Sequence, residues 1–266
     1  MSKSAAHAPL TPTQTPHPSS GFREAIDRAL GWLHLRSSLH PFDRRFGVDT
    51  SGLMYAPSLQ SGHEHDAHSS GYYATAPSLF HAALSLWNDT LTGTPFTLRD
   101  YAFLDLGCGK GRVLMMASEY PLREIVGVEL NPELAAIANR NLGKWTRFPR
   151  GFNPSKAICD DFLRIPFPAG PVLVYLFNSF EAEMVEALLD RLVQISATRS
   201  DPIDLLYIHP DYGQLVRQTP RMTLVADAEI PFTAEDARAD VFGVDHDRCT
   251  IFRLPGALPR DTNQAE

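Results

Sequence analysis

The sequence of 266 residues has few cysteines and no long apolar run. Its three cysteines, Cys108, Cys159 and Cys249, are odd in number and widely spaced, so they predict neither a disulfide framework nor a metal site and fit a reducing compartment. The longest apolar run, residues 172–177, is far too short to cross a membrane, and the N-terminus lacks the charged start and apolar stretch of a signal peptide. We therefore expect a cytoplasmic protein without a membrane partner.

The sequence also has no excess of positive charge. Its 24 Lys and Arg residues stand against 31 Asp and Glu residues, which gives a formal net charge of -7. This balance argues against binding of nucleic acid through bulk charge, and no DNA partner is expected. A small basic group, Lys144, Arg147 and Arg150, leaves RNA open as a partner.

Length and composition suit one α/β domain with an N-terminal extension. Residues 1–20 are rich in Pro, Ser, Thr, Ala and His and are predicted to be disordered, and residues 257–266 are predicted to form a flexible tail. Residues 21–98 are interpreted as a helical extension, which is either a lid or a surface for a partner. Residues 99–256 are interpreted as the domain itself.

Two helices are predicted within the extension. Apolar spacing indicates one that starts near Phe22 and is ended by Pro41, and a second over residues 75–91. Residues 42–73 show no clear period, and within them residues 62–68 are predicted to form an exposed loop. The extension is therefore expected to be helical only in part.

Four histidines are weighed as ligands or substrate contacts. His63, His65 and His68 have loose metal-like spacing, but they stand in a polar stretch without a cysteine, so we prefer a solvated loop to a metal site. His209 follows the fifth predicted strand, where it either contacts a substrate or packs against the fold. No metal ion is therefore expected.

From residue 101 onward, short apolar segments alternate with helical ones. Strands are predicted at residues 101–106, 124–129, 157–159, 172–177, 203–208, 222–230 and 248–254. Helices are predicted at residues 111–118, after Asn131 as N-cap and after Ser179 as N-cap. This alternation predicts an α/β fold with a doubly wound, mainly parallel sheet. The last two strands lack a long helix between them and predict an antiparallel hairpin at one edge.

A glycine-rich loop lies between the first predicted strand and its helix, with the sequence Asp105-Leu106-Gly107-Cys108-Gly109-Lys110-Gly111. Glycines let a backbone approach a ligand closely, and amides at a helix start bind carboxylates or phosphates. A dinucleotide loop requires a third glycine where Arg112 stands, and a Walker A loop requires Ser or Thr where Gly111 stands. We expect Cys108 to be a packing residue, and Lys110 and Arg112 to face solvent or to lie behind the ligand-contacting residues.

At these residues the sequence resembles class I, or seven-strand, S-adenosylmethionine-dependent methyltransferases, over roughly residues 101–254. The resemblance implies a Rossmann-like fold and S-adenosylmethionine as the cofactor. It also implies a cofactor site formed by Asp105, Gly107, Cys108, Gly109, Gly111, Glu129, Leu130, Asp161, Phe162 and Asn178. In such a site Glu129 accepts hydrogen bonds from both ribose hydroxyls, because a carboxylate has only acceptors. Asp161 lies near the adenine amino group, and Leu130 or Phe162 packs against the adenine ring.

The end of the fourth predicted strand, Asn178-Ser179-Phe180, is loosely similar to the Asn/Asp-Pro-Pro-Tyr/Phe motif of amino-group methyltransferases. The similarity implies that Asn178 points an acceptor at a nucleophilic nitrogen; alternatively, Asn178 only caps the following helix. Tyr73 stands in a segment similar to the one that precedes the fold in some protein-lysine methyltransferases. Asn178 and Tyr73 are therefore the candidate catalytic residues.

The favoured hypothesis is a methyltransferase that acts on nitrogen of a protein side chain or of a small molecule. An RNA methyltransferase and a non-catalytic cofactor-binding module are alternatives. A nicotinamide-dependent oxidoreductase is opposed by Arg112 in place of the third glycine. Neither the acceptor atom nor the oligomeric state follows from the sequence.

Overall fold

The computed structural model describes residues 39–68, 70–146 and 153–257. The chain divides into two units, Met1–His34 and Leu35–Glu266, and all described residues belong to the second unit.

Several sequence predictions fall outside the described residues. These are the tail at residues 1–20, the helix near Phe22, the tail at residues 258–266, and Arg147 and Arg150 of the basic group. The domain limits proposed from the sequence remain predictions.

A seven-stranded sheet forms the centre of the described chain, with strands in the order β3-β2-β1-β4-β5-β7-β6. The strands are β1 Ala102–Leu106, β2 Glu124–Glu129, β3 Ser155–Cys159, β4 Val172–Phe177, β5 Ile203–Ile208, β6 Thr223–Pro231 and β7 His246–Leu254. Neighbours among β1 to β5 are parallel, whereas β7 is antiparallel to both β5 and β6. The predicted doubly wound, mainly parallel sheet with an antiparallel C-terminal hairpin is confirmed.

The direction of winding reverses beside β1, which lies between β2 and β4. Asp105 near the end of β1 is paired with Gly127 on β2 and with Tyr175 on β4. In open α/β sheets, ligands bind in the crevice outside the carboxyl ends of the strands at such a reversal. The glycine-rich loop leaves β1 at this edge of the sheet.

Seven α-helices are present in the described part of the chain. They are α1 Pro41–Phe46, α2 Pro77–Asp89, α3 Arg112–Ala117, α4 Pro132–Trp145, α5 Ala182–Ser196, α6 Gly213–Gln218 and α7 Ala234–Ala239. Helices α2 to α5 match the predicted ones, with ends that differ by a few residues. Helices α1, α6 and α7 were not predicted. Each has six residues, which is too short to show a period in the sequence. None of these helices combines the length and the apolar character that crossing a bilayer requires.

Helix α1 was not predicted from the sequence, and Pro41, which was expected to end an earlier helix that lies outside the described residues, begins this one. Proline suits the first position of a helix, where its missing N–H would have no partner within the helix. His40 caps this helix, since its Nδ1 accepts a hydrogen bond from the backbone N of Phe42 at 3.1 Å. A histidine cap followed by proline is a start signal, which apolar spacing alone does not reveal.

The two predicted N-caps have different outcomes. Asn131 caps α4, and its Oδ1 accepts hydrogen bonds from the backbone N of Glu133 at 2.9 Å and of Leu134 at 3.0 Å. Ser179 does not cap α5, which begins only at Ala182. Its hydroxyl donates to the backbone carbonyl at the end of β4 at 3.1 Å, because the chain turns there before the helix starts.

Apolar layers cover both faces of the sheet. Phe103 and Tyr175 belong to the layer that packs against α2, α3 and α4, whereas Leu104 and Val174 belong to the layer that packs against α5. Successive residues of a strand point to opposite faces, so both layers draw on the same strands. Burial on both faces explains why the central strands are almost continuously apolar.

Residues 39–76, which we term the strap, precede α2 and pack at the carboxyl edge of the sheet. Two strap residues, Met54 and Tyr72, pair through an antiparallel bridge. Tyr72 then packs against Leu134 and Ile137 of α4. The strap therefore closes the side of the fold on which the glycine-rich loop lies.

Candidate functional site

A cleft with an empty volume of about 1020 Å³, open to solvent, lies at the carboxyl ends of β1, β2 and β4. Its walls come from the glycine-rich loop, the ends of these strands and the strap. Eight of the ten residues that the resemblance implies for cofactor binding line it, namely Asp105, Gly107, Cys108, Gly109, Glu129, Leu130, Asp161 and Phe162. The other two, Gly111 and Asn178, are not among the lining residues.

The glycine-rich loop requires its glycines for their backbone conformation. Gly107, Gly109 and Gly111 have φ angles of 75°, 53° and 83°, in the left-handed region that other residues seldom adopt. The backbone N of Gly107 donates to the carbonyl of Val128 at 2.9 Å, which ties the loop to β2. At Gly109 a Cβ would lie only 2.4 Å from Cε2 of Tyr72. Only glycine satisfies both constraints at this position.

Glu129, the last residue of β2, binds the glycine-rich loop directly. Its Oε2 accepts a hydrogen bond from the backbone N of Gly109 at 2.8 Å, and its Oε1 accepts one from Asn131 N at 2.9 Å. Burial raises the pKa of Glu129, while the two amides act in the opposite direction. Each oxygen keeps a second lone pair, so both can still accept a hydroxyl group from a ligand.

Asp105 holds a buried carboxylate oxygen in the cleft. The residue is 3 % exposed, and no group in the described part of the chain forms a hydrogen bond with its Oδ2. Burial raises the pKa of Asp105 well above its usual range, and the negative charge of Glu129 adds to the rise. A buried carboxylate without a partner is costly. The arrangement therefore favours a ligand that brings a positive charge or a hydrogen-bond donor to this point.

Asp161 follows β3 and connects the cleft to the strap. Its Oδ2 lies 3.3 Å from Nδ1 of His65 and 3.5 Å from Nε of Arg164. The next residue, Phe162, stacks on Phe180 with ring centroids 4.6 Å apart. This end of the cleft thus offers an acidic group beside an aromatic surface.

The segment of residues 62–68 is not the exposed loop predicted from the sequence. It contains a 3-10 turn, Glu64–His68, and its three histidines are half-buried. Asp66 accepts hydrogen bonds from the backbone N of Ser61 at 2.7 Å and of Gly62 at 2.8 Å. The polar residues that suggested a solvated loop instead bond within the turn, and the turn covers part of the cleft.

Two of these histidines approach Asp161. Ligand atoms of His63, His65 and Asp161 lie within 4.8 Å of one another, an arrangement that could hold a metal ion. Within this cluster, Nδ1 of His63 accepts a hydrogen bond from His65 N at 3.2 Å, and Asp161 faces both His65 and Arg164. The contacts are those of a cluster that ties the turn to β3.

Tyr73 lies at the β4 side of the cleft. Its hydroxyl donates a hydrogen bond to Oδ2 of Asp240, in the loop after α7. Its ring contacts Phe177 and Phe242 edge-on, at centroid distances of 5.9 and 5.3 Å. Burial raises the pKa of Tyr73, and the hydrogen bond to Asp240 raises it further. Tyr73 is therefore held as a neutral phenol in the wall of the cleft.

Asn178 is turned away from the cleft. It is 5 % exposed with a φ of 39°, and its Nδ2 donates to Asp211 Oδ2 at 2.8 Å. Its Oδ1 faces the hydroxyl of Tyr207 at 3.5 Å. The left-handed turn after β4 points the side chain at β5 and the loop after it. Its amide also does not cap α5, which begins at Ala182.

The family comparison agrees with this geometry. Residues 103–197 match a family model described as a methyltransferase domain, a segment that begins in β1 and ends just after α5. Residues 103–197 are therefore a methyltransferase domain by this match, in agreement with the resemblance found in the sequence. The sequence resemblance implies S-adenosylmethionine as the cofactor of such a domain. A comparison with curated protein sequences finds no match to the chain.

Solved structures similar to this methyltransferase share little sequence with it. Magnesium protoporphyrin IX methyltransferase from Synechocystis PCC 6803, with bound cofactor, is 10 % identical with a TM-score of 0.45, over 65 % of this chain and 78 % of that one. An RNA methyltransferase from Salinibacter ruber, in complex with S-adenosylhomocysteine, is 16 % identical with a TM-score of 0.43, over 72 % and 100 %.

The cleft of the methyltransferase fits the cofactor. S-adenosylmethionine carries positive charge and two ribose hydroxyls, and the cleft holds the unpartnered Oδ2 of Asp105 and the free lone pairs of Glu129. The absence of a Cβ at Gly109 keeps the loop backbone accessible beside Tyr72. These features suit a cationic nucleoside.

Sequence reasoning missed the role of two cations in the methyltransferase. Lys110 and Arg112 do not face solvent, being 8 % and 4 % exposed. Lys110 Nζ donates to Asp49 Oδ1 at 3.0 Å, and Arg112 Nε donates to Thr50 Oγ1 at 2.7 Å. Both therefore hold the strap against the glycine-rich loop.

Arg112 is the more deeply placed of the two and also lines the cleft. Its Nη1 donates to the carbonyl of Thr75 at 3.2 Å, and its Nη2 lies 3.7 Å from Asp43 Oδ1. Asp43 in turn accepts a hydrogen bond from Thr50 N at 2.7 Å. One feature of the sequence could have predicted these contacts. Asp43 and Asp49 stand in a segment without a period, upstream of the cations Lys110 and Arg112 at the glycine-rich loop.

Proposed function

We propose that this methyltransferase transfers a methyl group from S-adenosylmethionine to a nitrogen atom of a protein side chain or of a small molecule. The cleft has two ends. The nucleoside end contains Glu129 and Asp161, and the acceptor end contains Tyr73, Tyr175 and Phe177. Glu129 and Asp161 would hold the nucleoside at the first end, and the methyl group would then be available to an acceptor at the second.

The observation that carries the choice of nitrogen is the chemistry of the acceptor end. Besides the guanidinium of Arg112, which donates to the carbonyl of Thr75, its ionisable groups among the described lining residues are the phenols Tyr73 and Tyr175, and burial raises the pKa of both. The hydroxyl of Tyr175 is engaged with Thr75 Oγ1 at 3.0 Å. Neutral phenols of this kind are poor bases, so they cannot remove a proton from an alcohol. A neutral amine already has a free lone pair and needs no such base.

When bound, S-adenosylmethionine supplies a methyl group on a positively charged sulfur, which is already activated for transfer. The lone pair of the nitrogen bonds to the methyl carbon, the carbon–sulfur bond breaks with its electron pair remaining on sulfur, and the product ammonium releases a proton to water. The carboxylate of Asp105 balances the cofactor's positive charge, and Glu129 accepts its ribose hydroxyls. Tyr73 and Phe177 contact each other edge-on and would confine an acceptor at this end of the cleft, which would help to align it for transfer. Such alignment contributes roughly 7 kcal/mol or more to catalysis.

The test is methyl transfer from labelled cofactor to a cell lysate that is then separated into protein, RNA and small-molecule fractions. We expect label in protein or in small molecules, in a form that resists alkaline hydrolysis, as N-methyl groups do and methyl esters do not. Alkali-labile label would contradict the proposal. Label in the RNA fraction alone would support the RNA alternative, and no label with intact cofactor binding would support a non-catalytic module.

A further inference from the structure

The loop between α7 and β7 carries an apolar surface beside the acceptor end. Val241, Phe242 and Val244 are 38 %, 46 % and 41 % exposed. They make up half of the large apolar side chains that are exposed in the described part of the chain. Their concentration within four positions distinguishes this surface from scattered exposed residues, which need no explanation.

This loop is held in place and joined to the cleft. Asp240 Oδ1 accepts hydrogen bonds from the backbone N of Phe242 at 2.8 Å and of Val244 at 3.1 Å, and Asp240 Oδ2 accepts the hydroxyl of Tyr73. The ring of Tyr73 lies between two others, with centroid distances of 5.3 Å to Phe242 and 5.9 Å to Phe177. Tyr73 and Phe177 line the cleft. A continuous row of aromatic rings thus leads from the surface to the acceptor end.

The charges at this loop are mainly negative. Asp240, Asp245 and Asp247 fall within eight residues, with His246 as the basic residue among them. His246 Nδ1 lies 2.7 Å from Asp245 Oδ1. The neighbouring Arg248 is engaged by Asp227 at 2.8 Å. His209, which follows β5, has Nδ1 3.0 Å from Asp247 Oδ1 and Nε2 3.6 Å from Asp211. Aspartates around aromatic rings suit a cationic group with an apolar stem.

We propose that residues 240–245, together with Tyr73 and Phe177, form the docking surface for a basic protein segment whose side-chain amine is methylated, a proposal that rests on nitrogen methylation as the function. The surface extends outside the cleft, where it would cover a segment of polypeptide and not an enclosed small molecule. Among the cationic side chains of proteins, lysine is favoured. Its pKa of about 10.4 lies well below the value of roughly 12.5 or more for arginine, so it loses a proton more readily at a site without a base.

The experiment compares Phe242→Ser and Val244→Ser with Leu224→Ser. Leu224 is similarly exposed, at 40 %, but lies on β6 outside this loop. The rate of label transfer to the protein fraction is measured at limiting acceptor concentration, and cofactor binding is measured by calorimetry. We expect the first two variants to label protein about tenfold more slowly, as loss of one apolar contact of about 1.4 kcal/mol implies, with cofactor affinity within twofold of wild type. Leu224→Ser is expected to label at the wild-type rate.

Two further measurements identify the acceptor group. Hydrolysis of the labelled protein is expected to release methyllysine, and an oligolysine peptide is expected to inhibit labelling where an oligoglutamate peptide does not. Unchanged labelling by both loop variants, release of another methylated residue, or equal behaviour of the two peptides would overturn the docking surface or its occupant. Failure of the wild type to label any nitrogen acceptor would instead overturn the proposed function, so the two failures are distinguishable.

Discussion

The two ends of the cleft are built in different ways. At the nucleoside end, Glu129 and the amides of Gly109 and Asn131 belong to strand ends and loops that are close in sequence. At the acceptor end, Tyr73 bonds to Asp240, which is 167 positions away. Most of the nucleoside end is therefore formed within the unit of β1, α3 and β2. The acceptor site is assembled by segments that the sheet only brings together.

The greatest loss of cofactor affinity is expected from a substitution in the glycine-rich loop at the nucleoside end. Gly109→Arg introduces a side chain at a position where even a Cβ would lie 2.4 Å from Tyr72 and where φ is 53°. We expect cofactor binding to weaken by about a hundredfold or more, since steric exclusion and backbone strain add. Isothermal calorimetry measures the loss.

The matched control for this change is Gly143→Arg, because Gly143 lies in α4 with no atom within 4 Å of an added Cβ. It is expected to bind cofactor as wild type does. Tight cofactor binding by Gly109→Arg would remove the glycine-rich loop from the site.

A smaller loss of cofactor affinity is expected from Glu129→Ala. The change removes the acceptor for the backbone N–H groups of Gly109 and Asn131 and the proposed acceptor for the ribose. Cofactor affinity should fall by about thirtyfold, or roughly 2 kcal/mol, in line with the loss of hydrogen bonds to a charged group. Glu124→Ala, at the exposed start of the same strand, is the control and should leave affinity unchanged. Equal affinities of the two variants would mean that Glu129 only shapes the loop.

Asp105→Asn tests the charge between the two ends. The pKa of Asp105 is raised in the folded protein, so its contribution to stability is present at low pH and is lost as pH rises from about 3.8 through the folded value. Cofactor binding should follow the opposite course, because only the ionised carboxylate attracts a cation. Wild-type affinity is thus expected to rise with pH, and that of Asp105→Asn to be about tenfold weaker and to depend less on pH.

Calorimetry and thermal unfolding between pH 4 and pH 8 would measure both trends. A wild-type unfolding free energy that does not decrease as this group ionises would contradict the assignment, as would the same pH dependence of affinity in both proteins. Glu129 also has a raised pKa, so the variant is not expected to lose all pH dependence.

What could be predicted from the sequence follows the same division. The strand pattern, the glycine-rich loop and Glu129 were found because each depends on residues that are neighbours in the chain, where periodicity and motif spacing apply. The family match over residues 103–197 covers this part. Asn178 was expected at the site, but its left-handed turn directs the amide to Asp211, and side-chain direction after such a turn is not encoded in a motif.

The strap could not be predicted for a related reason. Its 3-10 turns and bridge have no period, and its position depends on pairs such as Lys110 with Asp49 and Arg112 with Thr50, which are about 60 positions apart. Lys110 and Arg112 were expected either to face solvent, as cations usually do, or to lie behind the ligand-contacting residues, and their partners in the strap were not foreseen. The exposed apolar side chains after α7 likewise gain meaning only once Tyr73 is seen beside them.

A still smaller change in activity is expected when the hydroxyl of Tyr73, which joins two distant segments at the acceptor end, is removed. Tyr73→Phe keeps the ring between Phe177 and Phe242 but removes the hydrogen bond to Asp240. Since one hydrogen bond contributes about 1 kcal/mol, the KM for the protein acceptor should rise roughly three- to fivefold while cofactor affinity stays within twofold. Steady-state kinetics with the labelled protein fraction measures the first, and calorimetry the second.

Tyr120→Phe is the control for this change, because the Tyr120 hydroxyl bonds to Nδ1 of His81 at 2.7 Å and does not line the cleft. It should alter neither constant. A loss of cofactor affinity in Tyr73→Phe equal to its loss toward the acceptor would show that the two ends are one coupled unit. An effect confined to the acceptor would show that the hydroxyl serves the docking loop alone, because no contact of Tyr73 reaches Glu129 or the glycine-rich loop among the hydrogen bonds and ring contacts of the described residues.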